Sequence, residues 1–410
     1  MSDRLFDLHC HPSLKIHYLP YLSRTFHAAV AQERFWNPLN FQTRYQNLKN
    51  SPVKVLVNAH YVIEPTFAGK GIKRLGRTLA KVLTGQWYER LVRADPWESL
   101  LAMMDDLEQA VQNTNLFVLG GKRLRMVRRF TDIRDLSSQE IGVVHAIEGP
   151  HALGYRDPGM DREAFWQRTR QRLGIVKDRG LAMIGLAHFM DNAFVPQIDS
   201  TEIIPKVRKG KVVWERDDAF YEMERATWSW GDRDHPSEEF VRECLRLGIL
   251  LDLVHVQEDA RWRIYDLCAE AGRPVVLSHN GLQHFFPHEY NLSDREVLRI
   301  REIGGVIGLI LSKRWLLSPE DCHYSGGDGI ADLIEVMLYI RQLTGDVACI
   351  GIGTDFDGLT HPFTDCCKPD ELDRIAWRMK KHFSPREIDD VLFGNAYRVF
   401  ERGWVDAREE

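Results

Sequence analysis

The chain has 410 residues, 44% of them hydrophobic, which is enough to bury one large core or two ordinary ones. A formal net charge of −5 gives no broad attraction to phosphate backbones and argues against a nucleic-acid partner, and no apolar run reaches the length of a membrane span. The N-terminal sequence has no signal-peptide core, and seven cysteines without framework spacing indicate reduced thiols, so we expect a cytoplasmic protein with no membrane contact.

Eight apolar, β-rich runs recur along the chain, and helical patterns usually follow them. Most of the runs are continuous rather than alternating, which is typical of parallel strands buried on both faces. Eight strands alternating with helices predict a (β/α)8 TIM-type barrel of the α/β class, whose site lies at the C-terminal ends of the strands. The runs are 4–11, 53–63, 141–148, 181–188, 249–256, 274–279, 305–311 and 349–355.

Helix boundaries carry recognisable signals. The segment 95–98 (DPWE) combines an N-cap, a first-turn proline and a capping-box glutamate. Ser293 with Glu296 repeats the capping box, as does the segment 384–387 (SPRE). Gly174 and Gly248 fall where C-terminal glycines would close helices before the next strand. These signals predict helices that begin near residues 96, 294 and 385.

Two connections are too long for a single crossover helix. Residues 64–139 contain a basic amphipathic segment and a second basic run, which we interpret as a solvated helix face and a surface hairpin rather than a partner or membrane surface. Residues 190–236 contain VRKGKVVW, a turn between two short strands, and this segment is a candidate lid or wall beside the site. We therefore predict one domain over residues 1–410 with these two insertions.

The first strand carries the sequence Asp7-Leu-His-Cys-His. Side chains on a strand alternate between faces, so His9 and His11 point the same way and Cys10 points the opposite way. Two imidazoles one pleat apart can bind one metal ion, and zinc is among the metals that suit them. A bare H-x-H is often structural, so this interpretation depends on ligands from other strands.

Five further polar side chains each fall at the end of an apolar run. Taken singly, each has an ordinary structural explanation, such as a satisfied histidine or a carboxylate bonded to loop amides. Together they indicate a metal site, because an apolar strand gains nothing by ending in an unpaired imidazole or carboxylate. The five residues are Glu148, His188, His255, His279 and Asp355.

The same reasoning leaves other polar residues out of the site. His145 lies three residues before Glu148, so we predict that it faces the opposite side of the strand and is packed. No other residue in the sequence supports His60 as a member of the metal site. Asp357 is typical of a turn after the last strand, although it could orient a ligand from behind.

The order H-x-H, Glu, His, His, His, Asp on eight strands resembles the amidohydrolase superfamily. Within it, the phrases AIEGPH, LDLVHV, PVVLSHN, GIGTDFDG and GNAYRVF resemble the membrane (renal) dipeptidase family of zinc metallopeptidases. The resemblance spans essentially the whole chain apart from the two insertions. It implies a zinc dipeptidase or related amidase that cleaves a small, dipeptide-like molecule with a metal-bound hydroxide. It also implies a homodimer.

The resemblance further implies roles for the strand-end residues. His188 would stabilise the developing oxyanion, and Asp355 would move protons as well as bind metal. Glu148 would bridge two zinc ions. The implied ligands are His9, His11, Glu148 and Asp355 for the first ion, and Glu148, His255 and His279 for the second.

Two departures from the family pattern concern charge. The family usually has aspartate where this chain has His11, so the metal site is one unit more positive, which favours an anionic substrate or a more acidic metal-bound water. The loop after the sixth strand lacks the family's arginine for the substrate carboxylate, and Tyr290 lies near its expected place. After the seventh strand, Lys313 and Arg314 could bind that carboxylate, or they could be solvent-facing charges.

Two other functions stay open at the level of sequence. The same barrel and metals could act on a lactone, a phosphoester or DNA, since TatD-type DNases carry a similar first motif; the net charge and the phrases AIEGPH and TDFDG argue against the nuclease. A non-catalytic metal-binding descendant is the other alternative, and the full ligand set argues against it. The sequence leaves the bond cleaved, the accepted side chains and the metal undetermined.

Overall fold

Eight parallel strands form a closed barrel surrounded by helices. The computed structural model describes residues 4–18, 26, 41–63, 95–118, 120–189, 192–198, 229–317, 329–358 and 361–406, and the backbone of 206–208 and 211–213. The strands in chain order are β1 (Leu5–Cys10), β2 (Val53–Tyr61), β3 (Arg123–Val127), β4 (Glu140–Glu148), β5 (Leu181–Gly185), β6 (Lys206–Arg208), β7 (Lys211–Val213), β8 (Leu250–Asp252), β9 (Val276–Asn280), β10 (Val306–Ile310) and β11 (Ile350–Gly353).

The barrel follows the order β1-β2-β4-β5-β8-β9-β10-β11, and β11 pairs with β1 to close it. All eight predicted runs form barrel strands, so the predicted (β/α)8 barrel is confirmed. β3 lies outside the circuit and pairs in parallel with the first half of β4. The second basic run of the first insertion is therefore a parallel strand and not the surface hairpin that we expected, because its backbone pairs with β4 and its apolar residues Leu124 and Val127 are buried.

Thirteen α-helices lie in the described part of the chain. They are α1 (Pro12–Tyr18), α2 (Tyr45–Leu48), α3 (Pro96–Leu116), α4 (Phe130–Arg134), α5 (Arg162–Asp178), α6 (Ser237–Arg246), α7 (Glu258–Glu270), α8 (Asp294–Glu302), α9 (Lys313–Leu316), α10 (Gly329–Thr344), α11 (Asp373–Met379), α12 (Pro385–Asp389) and α13 (Asn395–Gly403). Short 3-10 turns cover Pro150–Leu153 and Pro369–Glu371, and Asp390–Gly394 forms a π-turn before α13. No helix among these described residues is long and apolar enough to cross a bilayer.

The predicted helix starts are confirmed by their hydrogen bonds. Asp95 caps α3 by accepting from two backbone amides, and Ser293 and Ser384 each form a complete capping box. Such caps contribute about 1 kcal/mol each, so they fix where the helices begin. Gly174 does not end a helix, because it lies inside α5, which continues to Asp178.

Two apolar layers hold the barrel. A cluster inside it includes Phe6 and Leu8 of β1, and the C-terminal segment covers this cluster at the N-terminal ends of the strands. The rings of Phe6 and Phe400 lie 4.8 Å apart, and Asn395 donates to the carbonyl of Ile350 at 2.9 Å. Because the GNAYRVF tail closes this end, polar chemistry is confined to the opposite, C-terminal end. A larger cluster packs the helices onto the outside of the barrel.

Only parts of the predicted insertions lie within the described residues. β6 and β7 form the antiparallel pair that VRKGKVVW predicts. The basic amphipathic segment within 64–94 lies outside the described residues, as does 214–228 of the second insertion, which includes the first half of its tryptophan-rich stretch ATWSWG (226–231). The role of a lid or wall for 190–236, and the treatment of 1–410 as one domain, stay predictions.

Candidate metal centre

Glu148 lies at the centre of the predicted site. It ends β4, and its carboxylate faces the mouth of the barrel, where five imidazoles from four other parts of the wall converge on it. The Nε2 atoms within 4 Å of its two oxygens belong to His9 (3.3 Å), His11 (3.5 Å), His188 (3.5 Å), His255 (3.9 Å) and His279 (3.6 Å). The fold thus brings together residues that are up to 270 positions apart in the sequence.

Asp355 completes the group from the opposite side of His11. Its Oδ1 atom lies 3.3 Å from His11 Nε2, and its backbone amide donates to the carbonyl of His9 at 2.9 Å. Asp355 has a φ of 53° and His255 one of 67°, a left-handed conformation that is uncommon outside glycine. Backbone strain of this kind is concentrated at functional sites. A Cβ at Gly358 would lie 2.0 Å from Asp355 Oδ1, so this turn requires glycine.

The strands are shorter than the sequence runs suggested. His188 is the third residue after β5, His255 the third after β8, and Asp355 the second after β11. These three side chains therefore lie in the first turn of each loop and not on the strands themselves. The left-handed backbone at two of them ends the strand and turns the side chain toward Glu148.

Burial and charge set the protonation of the site. Burial alone would raise the pKa of Glu148, but His188, His11 and His9 hold it well below its usual value. Burial and the neighbouring histidines lower the pKa of His255 and of His279 well below the usual range. Burial lowers the pKa of His11, but Glu148 and Asp355 outweigh it and raise that pKa. An ionised Glu148 beside neutral His255 and His279 is the combination of protonation states that a metal ion requires of those three groups.

The donor set fits a divalent metal ion. Among the described residues, three groups bring ligand atoms within 4.8 Å of one another. Two of them share Glu148: one with His9 and His11, the other with His188 and His255. The third group contains Asp252, which the sequence interpretation did not single out. Buried nitrogen and oxygen donors of this kind suit zinc, and a bare cluster of them is costly to bury.

The sequence interpretation missed the residues that support the ligands. Asp7 accepts from the amide of His9 at 3.3 Å and from the amide and hydroxyl of Thr354 at 3.0 and 2.7 Å, so it ties β1 to the end of β11. Burial raises the pKa of Asp7 to about 6. Ser278 and Asp252 form a second support behind His9. Asp7, Ser278 and Asp252 each lie within three residues of a predicted ligand, in the motifs DLHCH, VLSHN and LDLVHV. That proximity is the signal that could have identified them.

The residues set aside from the sequence do lie outside the cluster. His145 is buried on the outer face of β4, where its ring bonds to His60 at 2.8 Å and to Glu108 of α3 at 3.3 Å. Asp357 accepts from the amides of Gln42 and Thr43 at 2.7 and 3.0 Å, so it fixes the loop that precedes α2.

The three predicted substrate contacts have other neighbours in the structure. Tyr290 is buried, and its hydroxyl donates a hydrogen bond to the carbonyl of His279, a predicted ligand. Lys313 pairs with Asp332 at 2.6 Å. Arg314 is buried and lies 3.2 Å from His361 Nδ1. Whether any of the three contacts a substrate stays a prediction.

Part of this chain is similar in sequence to known dipeptidases. Residues 230–407 match the sequence model of the membrane dipeptidase family (Peptidase family M19). An uncharacterized dipeptidase of Schizosaccharomyces pombe is 27% identical over 167 residues, which is 40% of this chain and 38% of the relative. A dipeptidase of Claviceps purpurea is 22% identical over 302 residues, 73% of this chain and 60% of the relative. These curated relatives are thus matched over less than two thirds of their length.

Solved structures extend the similarity to the whole fold. A metallopeptidase from Rhodobacter sphaeroides, bound to a phosphinate mimic of L-Ala-D-Ala, superposes with a TM-score of 0.67 at 18% identity over 98% of this chain and 99% of that chain. A probable dipeptidase from Pseudomonas aeruginosa gives a TM-score of 0.66 at 14% identity over 98% and 95% of the two chains. At these identities the likeness concerns the fold. The resemblance predicted from the motifs is confirmed.

Proposed function

From its relationship to the membrane dipeptidases, we propose that this chain is a metal-dependent dipeptidase that acts on a small peptide-like substrate. One observation carries the proposal: the carboxylate of Glu148 lies within 4 Å of five imidazole Nε2 atoms at the C-terminal mouth of the barrel. The C-terminal ends of the strands are where enzymes of this fold place their chemistry. The family match supplies the type of bond.

The proposal includes two zinc ions. His9, His11, Glu148 and Asp355 would hold one ion, and Glu148, His255 and His279 the other. The mixture of imidazole and carboxylate donors supports zinc, although such sites also accept cobalt or manganese. When bound, metals of this kind polarise a carbonyl and lower the pKa of a nearby water.

Asp355 and His188 have distinct proposed roles in the reaction. Asp355 is poised beside His11 to take a proton from the attacking water and to pass it to the departing amine. The rings of His188 and Tyr61 lie 4.3 Å apart, and Nε2 of His188 faces the carboxylate of Glu148 at the mouth of the barrel. From there it can donate to the carbonyl oxygen as negative charge develops. Its 3.5 Å distance from Glu148 also makes it a competing metal ligand.

The substrate's terminal carboxylate is proposed to bind Arg314. Lys313 is already paired with Asp332, and the hydroxyl of Tyr290 donates to a backbone carbonyl. We therefore prefer Arg314 to these two residues as the partner of the substrate carboxylate. A guanidinium binds a carboxylate through two parallel hydrogen bonds. Burial and the nearby Arg314 lower the pKa of His361 to about 4, which keeps that imidazole neutral beside the guanidinium.

The test is a substrate panel on metal-free and metal-loaded protein. Dipeptides, their C-terminal amides, lactones and single-stranded DNA are incubated with the purified chain before and after chelation. We expect hydrolysis of dipeptides, slower hydrolysis of their C-terminal amides and none of lactones or DNA. This activity should be lost on chelation and recovered with zinc, cobalt or manganese. Full dipeptidase activity of verified metal-free protein, or turnover of lactones alone, would contradict the proposal.

The cellular location, the oligomeric state and the partners of the protein are also part of the proposal. The six cysteines among the described residues have free thiols, which supports a reducing, cytoplasmic location. The family resemblance supports a homodimer, and the net charge of −5 and the lack of a span-length apolar run support the proposal that it has no nucleic-acid or membrane partner. Cell fractionation and light scattering of the purified protein measure the location and the oligomeric state.

A further inference from the structure

One buried hydroxyl behind the metal centre contacts two of the proposed ligands at once. Ser278 Oγ lies 2.9 Å from His9 Nδ1 and 2.8 Å from His279 Nδ1. It also lies 2.5 Å from Asp252 Oδ2. All four side chains are at most 4% exposed, so water does not compete for these contacts.

The hydrogen-bonding capacity of a hydroxyl fixes the direction of each contact. A serine has one proton to donate and two lone pairs to accept with. The shortest contact is to the carboxylate of Asp252, a charge-assisted geometry that takes the proton. The other oxygen of Asp252 accepts from the amides of Ser278 and Val254 at 2.9 and 3.3 Å, which holds the carboxylate as an acceptor. Ser278 Oγ therefore accepts from both imidazoles.

We infer that Ser278 is a positioning residue that fixes His9 and His279 as their Nδ1–H tautomers. With the ring proton on Nδ1, the Nε2 lone pair of each imidazole is free to face Glu148, as a metal ligand must. The inference rests on the proposed metal-dependent function and deepens it. It also explains the third candidate metal group: His9, Asp252 and His279 are held together by the hydroxyl between them, and no ion is needed there.

The backbone is shaped to place this hydroxyl. The pairing of β9 with β10 jumps from Leu277↔Ile307 to Asn280↔Leu309, so Ser278 and His279 form a bulge. The bulge lets two successive side chains reach the same cluster, which regular alternation would prevent. The carbonyl of Ser278 then occupies the space beside two glycines, Gly308 and Gly353, where an added Cβ would approach it to 2.0 and 1.7 Å.

Removing the hydroxyl tests the inference through metal affinity. For Ser278→Ala we expect zinc affinity, measured by competition with a chelating dye, to fall about tenfold to a hundredfold. The cobalt-loaded variant should also show an altered visible absorption spectrum. Ser278→Thr, which keeps the hydroxyl, should recover most of the affinity. Unchanged zinc affinity in folded Ser278→Ala would overturn the inference.

Ser51→Ala is the matched control. Ser51 is equally buried, and its hydroxyl donates to the carbonyl of Leu48 at 2.8 Å, away from the metal centre. We expect this variant to lose some thermal stability and to keep wild-type zinc affinity. An equal loss of affinity in both variants would reduce the role of Ser278 to general stability and contradict the inference.

A second measurement avoids any substitution at Ser278. Nitrogen-15 spectra of histidine-labelled, metal-free wild-type protein report the tautomer of each ring, with His9→Gln and His279→Gln used for assignment. Both rings should be protonated on Nδ1, and an Nε2–H tautomer at either would overturn the inference. If wild-type protein binds no zinc, the proposed function fails instead, so the two failures are distinguishable.

Discussion

The Nε2 atoms of His9 and His11 face each other at 2.9 Å. His11 Nδ1 lies 3.0 Å from the carbonyl of Ala59, an acceptor only, so the ring proton of His11 is on Nδ1. Ser278 accepts from His9 Nδ1 in the same way. Two bare lone pairs at this distance repel, so the pair needs a cation. The proposed divalent metal ion meets that requirement, and without it a proton on His11 would, since burial lowers the pKa of His11 but Glu148 and Asp355 outweigh it and raise that pKa. The weak H-x-H signal of the sequence thus becomes a constraint on what the site must hold.

Glu148→Gln should remove the centre of the metal site. The amide keeps the shape but loses the charge that faces five imidazoles, so bound zinc and dipeptidase activity should both fall at least a hundredfold, roughly. Metal content per chain and kcat measure the effect. Glu140→Gln, at the other end of β4, is the control and should keep both. Normal metal content in Glu148→Gln would disprove the central role of this carboxylate.

His11→Asp restores the residue that the family usually carries. The added negative charge should raise the pKa that governs the acid limb of the kcat profile by about one unit, since a neighbouring charge shifts a pKa by that order. The preference for anionic substrates should weaken as well. The pH profiles of wild type, His11→Asp and the neutral His11→Asn are compared. An acid limb that stays in place in His11→Asp would show that the charge at this position is irrelevant.

Arg314→Ala should affect substrates that carry a free C-terminal carboxylate. We expect KM for dipeptides to rise about tenfold or more, whereas rates for their C-terminal amides stay the same, because only the former lose an ion pair. Lys313→Ala should have a smaller effect, since Asp332 already neutralises that lysine. An identical response of dipeptides and amides would exclude Arg314 from carboxylate binding.

Glu108 should make stability depend on pH. The hydrogen bond from His145, together with Arg179 and Arg128, holds the pKa of Glu108 at about 2 despite partial burial. A depressed folded-state pKa contributes stability above the unfolded value of about 4.5, and that contribution is lost as the pH falls toward 2. Glu108→Gln should therefore lower the free energy of unfolding at pH 7, measured by urea denaturation. The difference in that free energy between the variant and wild type should shrink progressively below pH 4. Glu335→Gln, an exposed position on α10, serves as the control.

Two glycine substitutions should have opposite effects. In Gly353→Ala the new Cβ would lie 1.7 Å from the carbonyl of Ser278, so both stability and zinc affinity should fall. In Gly174→Ala the Cβ meets nothing within 4 Å inside α5, and alanine should stabilise the helix by about 1 kcal/mol or less. Thermal melts and zinc titrations of the two variants measure the contrast. Unchanged melting temperature and zinc affinity in Gly353→Ala would show that the carbonyl of Ser278 on β9 does not need this space.

The sequence by itself determined the barrel and the list of metal-ligand candidates. Short continuous apolar runs are typical of strands buried on both faces, and the hydrogen-bonding caps of α3, α8 and α12 are local, so both can be predicted along the chain. The strand-end positions of Glu148 and His279 followed from the same runs. His9 and His11 share a face because a strand alternates with a period of two.

Only the tertiary structure decided how these residues cooperate. The bulge at Ser278, the left-handed turns at His255 and Asp355, and the tie from Asp7 to Thr354 all depend on which strands lie side by side. Such contacts join residues of different strands, which are 347 positions apart for Asp7 and Thr354, and no local pattern encodes them. The DLHCH stretch supplied two candidate ligands, but the protons on their rings are placed by partners on β2 and β9.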